Sequence, residues 1–146
     1  PASILHDTGW STLSQRELKQ FYLPDWKTYE PKLRQRHQEE GALLAGKILD
    51  DISYKKDCIE NITEIILGHD TREGFLSIDD GLVRDADKLW RYTLPHYHIG
   101  MNLRNQNREE MDKMMKSSID KPGFFYSDIS REIARVELEN IMSASS

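Results

Sequence analysis

The chain has a single cysteine, Cys58, among 146 residues. That excludes an internal disulfide framework and a Cys-rich zinc site, and a reduced, cytoplasmic compartment is the simplest reading. Long hydrophobic runs are missing too. No stretch approaches the ~18 consecutive apolar residues of a membrane span, so no membrane partner is expected. The opening residues, Pro1-Ala2-Ser3-Ile4-Leu5-His6-Asp7, lack the basic region and apolar core of a secretion signal. Positive charge is in deficit: 20 Lys and Arg against 25 Asp and Glu leave a formal net charge of −5. A protein that coats duplex nucleic acid needs a basic face, so that class is disfavoured, while a local basic pocket for a small anion remains allowed. What is present fits one soluble domain, long enough to bury a core.

The periodicity predicts an all-α fold. Pro1 to Leu5 reads as the last turn of a helix, stopped near Gly9. Residues Ser11 to Leu33 are irregular, punctuated by Pro24 and Pro31 and supplied with bulky side chains by Trp10, Phe21, Tyr22, Trp26 and Tyr29. Within them Ser14 and Glu17 have the spacing of a capping box. Arg34 to Ile52 is expected as an amphipathic helix with Ala42, Ala45, Leu49 and Ile52 inward and Ile48 widening the stripe. A second runs from about Lys56 to Gly68 on Ile59, Ile62, Ile65 and Ile66. A third, capped by Ser77 or Asp79, spans Asp80 to about Tyr92 with Leu82, Val83, Ala86, Leu89 and Trp90 inward, and Pro95 ends it. Residues after Asn105 are helical to about Ser118, and His96 and His98 fall in a loop at the surface or a pocket rim. Pro122-Gly123 breaks the chain. Ser127 or Asp128 then caps a last helix carrying Ile129, Ile133, Val136, Leu138 and Ile141, which fades into a small polar tail.

Three of the five histidines, His6, His37 and His69, stand near the ends of these elements. His6 is followed by Asp7, His69 by Asp70, and Asp85-Ala86-Asp87 lies in the third helix. Imidazole and carboxylate together are the usual shell for a divalent metal that activates water, and in a helical protein such a shell is assembled from several helices. Each piece alone has a plainer reading: a capped histidine, or aspartates favouring a helix dipole.

The joint order resembles the HD superfamily of metal-dependent phosphohydrolases. Ile4-Leu5-His6-Asp7-Thr8-Gly9 is similar to the family's His-Asp segment, and Arg84-Asp85-Ala86-Asp87-Lys88-Leu89 to its final Asp segment. Between them, His37 with Gly41-Ala42-Leu43 looks like the His-x-x-x-Gly-Ala helix start of members with two metals, and Ile65-Ile66-Leu67-Gly68-His69 like the apolar helix ending in a further His. The resemblance covers about Pro1 to Tyr92. It departs at one point: the family's upstream His, on a preceding helix, has no counterpart among the five residues before His6. That implies a single HD-type domain over residues 1–146 truncated at its N-terminus, or a member that lost this ligand.

The resemblance implies an HD-like helical bundle with a central metal site. His6, Asp7, His37, His69 and Asp87 would hold one or two divalent ions, with iron, manganese, nickel, cobalt and magnesium not distinguished. Asp85 and Asp87 lie about 200° apart around a helix, so they cannot both face one ion. The family alignment favours Asp87, leaving Asp85 outside or solvated. Asp7 and Asp70 are the catalytic candidates, Asp70 by fixing the His69 tautomer. Lys88 and Arg91, and less strongly Arg72, are candidates for binding substrate phosphate. The implied activity is hydrolysis of a phosphate ester or nucleotide by a metal-activated water, so the expected partner is a small phosphorylated molecule, with a homo-oligomer left open. Two alternatives stand beside it: a diiron oxygenase of the same fold, and a non-catalytic binding or regulatory module. Residues 95–146 match no signature.

Overall fold

The computed structural model describes residues 1–22 and 26–144, with the side chains of residues 21–27 and 29 outside that description. The expectations placed on Phe21, Tyr22, Pro24, Trp26 and Tyr29 therefore lie outside the described residues. Among the described residues every regular element is a helix. None is long and apolar enough to cross a membrane. The chain divides into two compact units, Pro1–Val83 and Arg84–Ser146.

The first unit opens with a short helix α1 (Ala2–Leu5) and a 3-10 turn (Thr8–Thr12). The helix α2 (Gln15–Leu18) starts at the capping box foreseen for Ser14 and Glu17: the Ser14 hydroxyl accepts from the Glu17 N–H, and the Glu17 carboxylate accepts from Ser14. A second 3-10 turn follows (Lys19–Tyr22). The helix α3 (Trp26–Asp51) is much longer than the Arg34–Ile52 expectation and runs through Pro31. Its buried residues Leu33, His37, Gly41, Ala45 and Leu49 recur every four positions. That stripe contains a histidine and a glycine, so its first half carries little apolar signal in the sequence. The Glu30–Arg34 ion pair spans Pro31 by one helical turn. Ile48 and Ile52 are exposed, not inward.

The helix α4 (Lys56–Gly68) follows its isoleucine pattern, with Ile62, Ile65 and Ile66 buried. These pack with Ala2, Ala45 and Leu49 to form the apolar core of this unit. The helix α5 (Ile78–Trp90) begins after Ser77, whose hydroxyl accepts from the Asp80 N–H at 3.1 Å. Its buried side is only partly the one expected: Val83 and Leu89 are half-buried, each packed against the core of its own unit, but the other three residues are not inward. Leu82 and Trp90 are 51% and 52% exposed and Ala86 is exposed, while Asp80, Arg84 and Asp85 are buried. Nearby donors satisfy these acids: Asp80 accepts from the Leu76 N–H and Arg72, and Asp85 from the N–H groups of Tyr126 and Ser127. Asp85 is thus neither solvated nor idle. It fastens the turn that leads into the last helix.

The second unit continues with α6 (Leu94–Arg104), which overturns the loop expected for His96 and His98. Pro95 sits in the first helical turn, where the N–H it lacks has no intrahelical acceptor, so it starts this helix as readily as it ends the previous one. Asn105 closes α6 in the left-handed conformation, and the Asn107–Glu110 capping box opens α7 (Arg108–Ile119). The helix α8 (Asp128–Ala144) is capped by the Ser127 hydroxyl, which accepts from the Ser130 N–H. Ser130, Ala134, Leu138 and Ile141 form its buried stripe. The expected Ile129, Ile133 and Val136 are 75%, 43% and 46% exposed. Tyr92, Tyr97, Met111, Met115 and Phe125 fill the core against that stripe.

Candidate metal centre

Three short stretches of the first unit converge on one point. His6 and Asp7 come from the turn after α1, His37 from the middle of α3, and His69 and Asp70 from the end of α4. His37 was expected at a helix start; the extra turns before it change that. Gly9 makes the approach possible. A Cβ there would lie 1.8 Å from the His37 carbonyl oxygen and 2.6 Å from the Gly41 nitrogen, so only glycine lets the 3-10 turn lie against α3.

The imidazole Nε2 atoms of His37 and His69 are 3.3 Å apart. Asp7 Oδ1 is 3.5 Å from each of them. Asp70 Oδ2 lies 3.5 Å from His37 Nε2 and 3.9 Å from His69 Nε2, and His6 Nε2 lies 3.4 Å from Asp7 Oδ2. Two overlapping sets of potential ligand atoms result, His6–Asp7–His69 and His37–His69–Asp70, each within 4.8 Å. Atoms held ~2.0–2.1 Å from one cation lie roughly 3–3.5 Å from each other, so the spacing suits a metal ion.

The tautomers sharpen this. His69 donates from Nδ1 to the Ile66 carbonyl at 2.7 Å, and His6 from Nδ1 to the Ser3 carbonyl at 2.9 Å. In the neutral rings both Nε2 atoms then present lone pairs to the cluster. It is the Ile66 carbonyl, in place of Asp70, that fixes the His69 tautomer. His37 is fully buried, and its Nδ1 has no hydrogen-bond partner among the described residues. Carboxylate oxygens and imidazole lone pairs crowded into one spot repel one another unless protons or a cation stand among them. Burial alone would raise the Asp7 carboxyl, yet with protonated rings in place of a cation, hydrogen bonds from His37, His6 and His69 and the charge of His6 hold it well below the usual carboxylate range. This donor set fits a divalent cation.

Several contributing residues carried no signal in the sequence reading. The Trp10 ring stacks on His37 at 4.1 Å and 12°, and its Nε1–H donates to Asp7 Oδ1 at 3.1 Å. Arg34 pairs with Asp70 at 2.9 Å. Gln38, buried beside His37, accepts from the Asp70 N–H at 2.9 Å and donates to the Arg34 carbonyl at 3.0 Å. Helical spacing could have found the last two, since Arg34 and Gln38 are one turn apart and flank His37.

The remaining candidates have other surroundings. Arg72 donates to the Glu64 carbonyl at 2.8 Å and pairs with Asp80 at 3.3 Å. Asp87, Lys88 and Arg91 belong to the second unit. Asp87 pairs with Arg91 at 3.3 Å, and the Lys88 ammonium donates to the Phe124 carbonyl and lies 5.2 Å from that ring's centre. Burial, then the charge of Arg84, pushes the Lys88 ammonium down to about 8. Compared with protein-family models, curated proteins and solved structures, the chain matches none.

Proposed function

We propose that the first unit holds one or two divalent cations and that the protein is a phosphohydrolase of the HD type, acting on a phosphate ester or nucleotide. The observation that carries this reading is the meeting of His37 Nε2, His69 Nε2 and Asp7 Oδ1 within 3.5 Å of one another. A divalent cation supplies Lewis acidity and brings the pKa of bound water to roughly 7. The chain's own residues do the rest. Asp7, open to solvent on one side, faces the cluster from the exposed turn and stays ionised through neutral pH. Ile66 and Ser3 aim His69 and His6 through their carbonyls. Trp10 covers one face of His37 and keeps water from it. Arg34 holds Asp70 while leaving its second oxygen turned to the histidines.

The test is metal analysis of the purified chain reconstituted with manganese, iron, nickel, cobalt or magnesium, followed by chromogenic phosphate esters and nucleotides under argon. Retained metal and hydrolysis without oxygen are expected, both lost in Asp7→Ala. Turnover that requires oxygen would favour a diiron oxygenase. Tight metal without turnover would favour a binding module. A chain that retains no metal overturns the reading.

A further inference from the structure

The second unit holds a partly open cavity of about 90 Å³ whose walls come from the turn after α5, from α6 and α7, and from the turn before α8. Three of its lining residues carry or can carry positive charge: Arg91, His96 and Arg104. His96, Gly100 and Arg104 are spaced four residues apart on α6, so they stack along one face of that helix. The middle position is where the room comes from. Gly100 is buried, and a Cβ added to it would lie 2.7 Å from Met111 Cε and 3.5 Å from Arg104 Nη1. Glycine there lets the Met111 methyl and the Arg104 guanidinium occupy the space between the two cationic positions. Across the cavity, Met111 and Ser118 lie seven residues apart on one face of α7, and Phe124 closes the far side.

The electrostatics agree with the geometry. Burial, and then the charges of Arg91 and Arg104, hold the His96 imidazole below its ordinary range against the opposing charge of Asp87. Two guanidinium groups therefore act on one ring. Asp87 is the carboxylate paired with Arg91; among the described residues the cavity lining itself contains no Asp or Glu. Methionine and phenylalanine walls lower the local dielectric and strengthen the field of the cations.

We propose that this cavity binds a small free oxyanion of the phosphate class, held by the guanidinium groups of Arg91 and Arg104. Guanidinium groups match tetrahedral and carboxylate oxyanions through paired N–H donors. The volume admits an inorganic anion and has no space for a nucleoside. The site lies apart from the reading of the histidine cluster and stands whether or not that cluster binds metal.

The test is calorimetric titration of the EDTA-treated full chain with inorganic phosphate and, separately, with a nucleoside monophosphate. Saturable one-to-one binding of phosphate is expected. Arg104→Gln, a change at a half-exposed position, should weaken it at least tenfold while leaving the circular dichroism unchanged. Gly100→Ala, which pushes the Met111 methyl into the cavity, should weaken it as well. Asp7→Asn should bind phosphate as the parent does. Absence of saturation, or equal affinity in Arg104→Gln, overturns the site. Loss of binding in Asp7→Asn would place the anion at the histidine cluster and also overturn it. Tighter binding of the nucleoside monophosphate, sensitive to Arg104→Gln, would overturn the free-anion assignment by making the cavity one end of a larger substrate site.

Discussion

The first unit buries histidines and a glutamine where the second buries methionines and tyrosines. In the first, His37, Gln38 and His69 are at most 2% exposed, and the apolar core beside them is built from alanine, leucine and isoleucine. In the second, Tyr92, Tyr97, Met111, Met115, Phe125 and Leu138 share the interior, and the tyrosine hydroxyls donate to the Met115 carbonyl and to Asp112. Burying polar groups costs stability unless each is satisfied; among the described residues the fully buried His37 leaves its Nδ1 without a hydrogen-bond partner, and in the second unit Gln106 Oε1 is left likewise. Apolar side chains of similar size would pack the His37 position more favourably. The first unit sets a cluster of polar rings beside its apolar core, and the second fills its core with sulfur and aromatic side chains.

Substitutions can break or sharpen this contrast. The largest effect is expected for Asp7→Ala, which should remove retained metal altogether while helical content stays near that of the parent; metal analysis with circular dichroism checks both. Next comes Gly9→Ala. Its Cβ would meet the His37 backbone, which cannot swing aside, so a loss of about 3 kcal/mol in urea unfolding is expected together with weakened metal retention. In the second unit Ile141→Val should cost about 1 kcal/mol and leave metal content untouched. If it altered metal content as strongly as Gly9→Ala, the contrast would fail. The smallest effect is an alkaline one. Burial, then the bond to the Asp112 carboxylate, pushes the Tyr97 hydroxyl up from 10.0 to about 12. A group held protonated in the folded state lends its stability in full below pH 10, and that contribution is lost as pH rises from 10 through 12. Tyr97→Phe should flatten this part of the pH–stability curve, measured by urea midpoints between pH 9 and 11.

The parts of the fold that could be read in advance are those where one physical signal acts alone. The isoleucines of α4 recur at helical spacing and are buried. The Ser14–Glu17 box and the Ser127 cap form where the side-chain chemistry puts them. Expectation failed where burial did not follow hydrophobicity. On α5 the acids Asp80 and Asp85 turn inward because backbone N–H groups and Arg72 receive them, and Leu82 and Trp90 turn outward. On α3 the inward row includes His37 and Gly41, so the first half of the helix had no apolar period to reveal it. Pro95 reads equally as a stop and a start. At the site, the residue types and order of His6, Asp7, His37, His69 and Asp70 were legible; Trp10, Arg34 and Gln38 act through contacts that need the third dimension.

The amino acids by themselves determined that this chain would be helical, acidic and furnished with paired His and Asp residues, because propensity, charge and side-chain chemistry are local properties. Tertiary structure alone decided that imidazoles from α3 and α4 would stand 3.3 Å apart with Asp7 between them. Residues 7, 37 and 69 are too far apart along the chain for any local rule to join them. What joins them is the close approach of backbones at Gly9 and Gly41, a matter of shape that a string of letters does not express.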